Sequence, residues 1–300
     1  MLDCLVIGGG PAGLTAAIYL ARFRRQVLVI DKGWSRAEWI TLSHNLPGFP
    51  EGLPGPTLLA RLQEQARLYG AVIQTGVVET LKQAPDQLFS AIVGETVMRA
   101  KNIVLCTGVM ENKPPLAHVA DAVKRGLIRT CPICDGYESI GKRVAVLGEG
   151  DHAAAEALFI RTYTEKVWLF LMTTDTTVLS TARQDDLKAA GIPFAHVVVG
   201  SIALDANGGT ALTVEDDQSH SFDVIYSAFG LTSQTQLATA LGAKVDSSAR
   251  LFVNEHQATS IDGLFAAGDL VRGLNQISVA EGEAAIAATA IHNRLPRRFA

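Results

Sequence analysis

The sequence predicts an α/β protein of two doubly wound domains, the second inserted into the first. Three observations predict it. A strand, a glycine turn and a helix near the N-terminus recur at an offset of 140 residues. Strand-like and helix-like stretches alternate along most of the 300 residues, as parallel sheets require. Two segments suit domain crossings, because the proline pair in Lys113-Pro114-Pro115 stiffens one linker and a glycine opens the other, Gly230-Leu231-Thr232-Ser233. The expected domains are Rossmann-like, at 1–114 with 243–300 and at 115–242.

The first unit opens with an apolar strand over 4–7 and Gly8-Gly9-Gly10-Pro11-Ala12-Gly13, then a helix to about residue 23 and a strand over 27–30 ending in Asp31. Glycines there permit a tight turn and close backbone approach. The helix N-terminus holds a pyrophosphate, and the acid accepts ribose hydroxyls. A bare GxGxxG is weak evidence, whereas strand, helix, second strand and acid in register make dinucleotide binding specific. Trp34 and Trp39 follow, either stacking on a ring or packing structurally, and His44 is either a proton relay or a polar loop residue. A later strand, 103–106, runs into Thr107-Gly108.

Cys131-Pro132-Ile133-Cys134-Asp135-Gly136-Tyr137 lies just before the second glycine turn. Two thiols at this spacing can close a small disulfide ring, one sulfur attacking outside partners and the other resolving the mixed disulfide. A CxxC can also be half of a zinc site or two buried thiols. Zinc needs further ligands, but Cys4 and Cys106 sit in apolar strand-like runs and the seven histidines show no ligand spacing. The pair therefore reads as redox-active, with no metal.

In the second unit the offset places Gly148, Gly150 and Ala153 after a strand over 143–147 and before a helix over 153–163. It also carries Asp31 onto Leu171. A strand end of this kind gives NADH an acid and NADPH an arginine. Phe170-Leu171-Met172-Thr173-Thr174-Asp175 offers no basic group before Arg183. Pro11 and Ala12 become Asp151 and His152, and a carboxylate at that turn caps an empty helix while repelling a diphosphate. The second fold reads as kept for packing after losing its ligand, so NADPH is a doubtful cofactor.

Composition narrows the partners. Charged residues are 19% and the net charge is -4, so no basic surface speaks for nucleic acid or an anionic membrane. No apolar run reaches the roughly 18 residues of a membrane span, and the chain begins almost directly with a strand. Four cysteines so placed do not form a secreted disulfide framework, and a reducing cytoplasm suits them.

Near the C-terminus, Gly263-Leu264-Phe265-Ala266-Ala267-Gly268-Asp269 is a strand running into Gly-Asp, and Asn275-Gln276-Ile277 precedes an alanine-rich helix over 279–292. In FAD enzymes with two dinucleotide folds such an Asp receives the ribitol hydroxyls, and the helix start offers backbone N–H groups to the flavin. With these motifs the chain resembles the low-molecular-weight thioredoxin reductases over nearly its whole length, including Ser43-His44-Asn45-Leu46-Pro47-Gly48-Phe49, similar to their flavin-facing loop.

The resemblance implies that Gly8, Gly10, Pro11, Ala12, Gly13, Asp31, Asn45, Thr107, Gly108, Gly268, Asp269, Gln276 and Ile277 line FAD. It implies that Cys134 sits against the flavin, that Cys131 attacks an external disulfide, and that Asp135 manages the thiol protons. It also implies a homodimer and an inserted domain that rotates. Two departures mark a divergent branch: Leu171-Met172-Thr173 stands where NADPH-dependent members carry a basic cluster, and Asn275-Gln276-Ile277 where they carry Arg-Gln-Ala.

The activity expected is thiol–disulfide exchange between FAD and a thioredoxin-like protein or small dithiol. The outside electron partner is open among ferredoxin, oxygen, a second flavin and a weakly held nicotinamide. Rival readings are an ordinary NADPH-dependent reductase, an oxygen-dependent dithiol oxidase, and a non-enzymatic FAD-bound sensor. Retention of both cysteines with Asp135 speaks against the sensor.

Overall fold

The computed structural model describes residues 1–116, 119–173, 179–198, 203–204, 211–213 and 219–297. Chain order shows the insertion. β1 (Cys4–Ile7), α1 (Pro11–Arg22) and β2 (Val27–Asp31) precede α2 (Gly55–Leu68) and β3 (Val72–Thr75). An antiparallel set follows, β4 (Thr80–Gln83), β5 (Phe89–Val93) and β6 (Thr96–Ala100), and then β7 (Ile103–Leu105).

The chain departs through β8 (Val109–Glu111) and forms α3 (Val119–Lys124), β9 (Ile128–Arg129), α4 (Pro132–Asp135), β10 (Val144–Gly148), α5 (Gly150–Ile160) and β11 (Val167–Thr173). It continues through α6 (Thr181–Ala189), β12 (Phe194–Val198), an antiparallel trio β13 (Ala203–Leu204), β14 (Ala211–Thr213) and β15 (Ser219–Ser221), and β16 (Val224–Ala228). The return is β17 (Leu231–Ser233), then α7 (Gln236–Thr239), β18 (Leu264–Ala266) and α8 (Ile277–Arg294). Two compact units result. One holds Met1–Leu42, Leu46–Met110 and the chain from Thr232 onward, and the other holds Ser43–Asn45 and Glu111–Leu231.

The first unit is built on a parallel sheet of order β18-β7-β1-β2-β3. α1 and α8 cover one face, and their contact uses small residues. Ala12, Ala16, Ala17 and Ala21 meet Ala280, Ala284, Ala287 and Ala288, which lets two helix backbones approach closely and still fill the interior. The C-terminus of α8 is tied down by Arg25, 5% exposed, which donates to the carbonyls of His292 at 3.0 Å and Pro296 at 3.0 Å and to His292 Nδ1 at 3.2 Å.

The second unit repeats the plan with a parallel sheet of order β12-β11-β10-β16-β9. β10, β11, β12 and β16 stand where β1, β2, β3 and β7 stand in the first. The fifth place differs, filled in the first sheet by a strand near the end of the chain and in the second by β9, which precedes the repeat. Every residue of β10 and β16 is buried, the continuous burial that central parallel strands require. The predicted α/β fold of two Rossmann-like units is present.

Among the element boundaries that differ from expectation, three bear on the sites. α5 starts at Gly150 rather than residue 153, and α8 at Ile277 rather than residue 279. Gly, Asp and Ser read as loop formers, but a first helical turn has no inward hydrogen bonds to lose and accepts them. β11 runs to Thr173, two residues past Leu171, so Leu171 is not a strand end but a buried member of the sheet between Gly148 and His196. Thr174 and Asp175 lie outside the described residues. Among the described residues no helix is long and apolar enough to cross a membrane.

Candidate functional site

The first glycine turn folds as it does because side chains are excluded from it. Gly8 has φ +112°, and a Cβ there would stand 2.2 Å from the Cys106 carbonyl oxygen; a Cβ on Gly13 would stand 1.9 Å from the Gly8 carbonyl oxygen. Strand, turn and helix are therefore in backbone contact, with Thr107 beside Gly8. Gly10 is the N-cap of α1, Pro11 begins the helix, and no side chain caps it and no acid lies in its first turn. Its N–H groups stay open to an anion.

Asp31, at the end of β2, accepts from Gly9 N–H at 3.3 Å. Gly268 lies against α1, where an added Cβ would come 3.1 Å from the Cβ of Ala12, and its N–H donates to Glu283 at 2.7 Å. Burial pushes the Glu283 carboxyl up, and the Gly268 N–H pulls it partly back. Asp269 pairs with Arg36 at 3.1 Å. Thr107 Oγ1 donates to the Gln234 carbonyl, and the Gly108 carbonyl accepts from Gln234 N–H at 3.0 Å. Gln276 is the extended N-cap of α8 and Ile277 its first residue, again with no side-chain cap.

Gly8, Ala12, Gly13 and Gly268 thus meet around one open helix start, with Gly9 bonded to Asp31. This cradle fits an FAD-type dinucleotide: backbone close enough that a Cβ would block it, an uncapped helix for the diphosphate, and carboxylates at Asp31 and Asp269 for sugar and ribitol hydroxyls. Asn45 groups instead with the second unit, where its Nδ2 donates to the Ile133 carbonyl at 3.4 Å and His44 lies 3.5 Å from Glu138. Trp34 and Trp39 pack edge to face at 6.3 Å, with Lys32 over the Trp34 ring.

In the second unit Cys131 and Cys134 form a disulfide across the four-residue helix α4. Asp135 ends that helix. Burial pushes its carboxyl up, while the Arg129 guanidinium and the Tyr226 hydroxyl pull it back. Cys4 and Cys106 are buried thiols, pushed well up by desolvation, the environment of structural rather than reactive cysteines. Among the described residues no cluster of His, Cys, Asp or Glu could hold a metal ion.

The second glycine turn differs in the way the sequence suggested, with one correction. Asp151 is not the N-cap of α5; Glu149 is, and Asp151 sits inside the first turn. Its carboxylate accepts the Ser180 N–H at 2.8 Å, and that bond holds it below the usual carboxylate range. The start of α5 is thereby latched to the N-cap of α6. His152 pairs with Glu156 at 3.2 Å, which pushes the imidazole up.

Sequence reasoning missed Arg36, Glu283, Ser180, Tyr226 and Arg129. All but Arg129, which lies six residues from Asp135, act through a contact between residues well separated in the chain. The nearest signal was Ser35-Arg36-Ala37-Glu38, a capping box that the structure forms and that sets Arg36 on a short helical turn.

The chain matches the Pyridine nucleotide-disulphide oxidoreductase family over residues 2–284. It is 31% identical over 286 residues to the NADPH-dependent thioredoxin reductase 3 of Arabidopsis thaliana, covering 89% of this chain but about half (53%) of that protein's length. Among solved structures it is similar to the thioredoxin reductase of Streptococcus pyogenes, with TM-score 0.84, 26% identity, and coverage of 98% of this chain and 97% of the other. It is also similar to the atypical thioredoxin reductase TRi of Desulfovibrio vulgaris Hildenborough, at 31% identity and TM-score 0.55, covering 99% and 100%.

Proposed function

The chain belongs to the pyridine nucleotide-disulphide oxidoreductase family as a thioredoxin reductase-like flavin disulfide oxidoreductase, and from that premise we propose that it relays electrons through Cys131 and Cys134 without using NADPH efficiently. FAD, when bound, supplies the two-electron carrier. The first unit's turn would hold it at the open start of α1, with Asp31 and Asp269 available to its hydroxyls. Cys134 takes the flavin-facing role and Cys131 the exchange role, and Asp135 manages their protons. The outside thiol partner is a thioredoxin-like protein or a small dithiol/disulfide, and the electron partner is a ferredoxin-type carrier, oxygen or a second flavin. A cytoplasmic homodimer belongs to the same reading.

The observation that carries it is the contrast between the two helix starts. α1 is uncapped and free of acids. α5 carries Asp151, fixed by Ser180 N–H at 2.8 Å, where a pyrophosphate would need to approach. Leu171, 2% exposed, offers nothing to a ribose. Anaerobic reduction tests this: dithionite should bleach the bound flavin readily and NADPH slowly or not at all. Rapid NADPH reduction at low-micromolar concentration would restore an ordinary reductase.

A further inference from the structure

Two side chains from outside α4 converge on Asp135, and a third stands behind one of them. Tyr226, in the middle of β16 and with no exposed surface, donates its hydroxyl to Asp135 Oδ1 at 2.7 Å and lies 3.1 Å from the Asp135 carbonyl oxygen. With that proton committed, the fully buried Ser139 Oγ, 3.2 Å from the same hydroxyl, is the donor to it. Arg129 is the register partner of Tyr226 across β9 and β16; its Nη1 donates to the Asp135 carbonyl at 3.0 Å and its Nε stands 3.6 Å from Oδ2. A buried tyrosine hydroxyl needs one partner, and Ser139 would satisfy it. The remaining geometry serves the carboxylate.

We propose that Tyr226 and Arg129 are positioning residues that set the protonation of Asp135 for dithiol exchange, an inference resting on the relay assigned above to Cys131 and Cys134. Both hold the ionised form against a burial that favours the neutral one. The other charged groups facing Asp135 are Glu138, which opposes ionisation, and Lys142, which assists it. Burial thus raises the carboxyl while Arg129 and Tyr226 pull it back, so these two contacts govern how readily Asp135 takes and gives a proton, the property a thiol acid–base partner needs.

In the exchange, the Asp135 carboxylate takes the proton of the Cys131 thiol, whose sulfur attacks one sulfur of the outside disulfide. That S–S bond breaks, a thiolate leaves, and a mixed disulfide forms. The Cys134 thiol then loses its proton and attacks Cys131 Sγ, closing the Cys131–Cys134 bond and releasing the second thiolate. Two electrons pass to the outside disulfide, and the two protons end on the released thiolates or in solvent.

The test uses the flavin-loaded protein, reduced with dithiothreitol, desalted anaerobically and mixed with the aromatic disulfide DTNB. Its leaving thiolate needs no proton, so only the base role of Asp135 limits the rate. The rate should rise with pH through a phase that Asp135→Asn lacks. Tyr226→Phe should move that phase upward by about one pH unit, because it removes a hydrogen bond that favours the carboxylate. Arg129→Gln should move it the same way, and Arg129→Lys should restore most of it. A buried role in packing alone would leave the phase in place. Profiles of Tyr226→Phe and Arg129→Gln that superimpose on wild type overturn the inference while the relay stands. A wild-type dithiol that does not react at all sinks both.

Discussion

Gly13→Ala is the sharpest perturbation of the first glycine turn. The new Cβ would stand 1.9 Å from the Gly8 carbonyl oxygen, 3.0 Å from its carbon and 3.3 Å from the Cys106 Cβ. Ordinary contact needs more than about 3 Å, so the turn and α1 must part by roughly 1 Å or more. The nearest obstacle is backbone, and the neighbouring Leu14 is fully buried, so no flexible side chain can yield. Overpacking of this kind costs about 1–3 kcal/mol. The displacement falls where the diphosphate lies, so FAD affinity should drop by roughly tenfold to a hundredfold, at about 1.4 kcal/mol per decade.

Gly282→Ala is the internal control. It lies in α8 with no atom within 4 Å of the added Cβ, and a helical glycine replaced by alanine gains about 0.5–1 kcal/mol. The assay compares flavin-to-protein ratio after gel filtration, titration of the stripped proteins with FAD, and the temperature of flavin release. A Gly13→Ala protein with wild-type flavin content and FAD affinity would refute the assignment of that turn.

Three further outcomes follow from named contacts. Asp269→Ala should lose flavin on gel filtration whereas Arg36→Ala keeps it, which separates a ribitol contact from the 3.1 Å ion pair; equal retention in both would remove Asp269 from the flavin site. Arg25→Ala should destabilise the first unit by about 1–3 kcal/mol, since it removes the donor to the part-buried carbonyls of His292 and Pro296 and to the buried Leu295 carbonyl, and a melting curve unchanged by the substitution would contradict that. His292 has its pKa depressed by burial and by Arg25, so its contribution to stability is present above about 6.5 and is lost as pH falls through the lower folded value. Melting temperature should accordingly fall more steeply below pH 6.5 in wild type than in His292→Gln.

Much of this architecture is written locally. Gly8 and Gly13 announce the turn because backbone contact there forbids any side chain, and β10 announces itself as an unbroken apolar run. What stayed hidden is tertiary. Asp151 looked like a cap because capping is the commonest local use of an aspartate, and only the fold brings Ser180, 29 residues on, to its carboxylate. Tyr226 is 91 residues from Asp135 and reads as one more strand aromatic. Arg36 and Asp269 are 233 residues apart, and no periodicity links them. Leu171 is not a strand end, although the repeat puts it opposite Asp31, because β11 outruns β2 by two residues.

The two crossings carry a consequence for dissection of the chain. β8 and β17 pair with each other, Asn112 N–H meets the Gly230 carbonyl at 3.1 Å, and Gln234 N–H meets the Gly108 carbonyl at 3.0 Å. Where the strands separate, the four cut ends therefore stand about one strand spacing apart, roughly 5 Å. A bridge of two or three glycines suffices to splice residue 110 to residue 232, and an equally short one circularises 111–231. The inserted segment behaves as a removable cassette, so excision should yield a yellow, thiol-exchange-dead remnant and a colourless disulfide module.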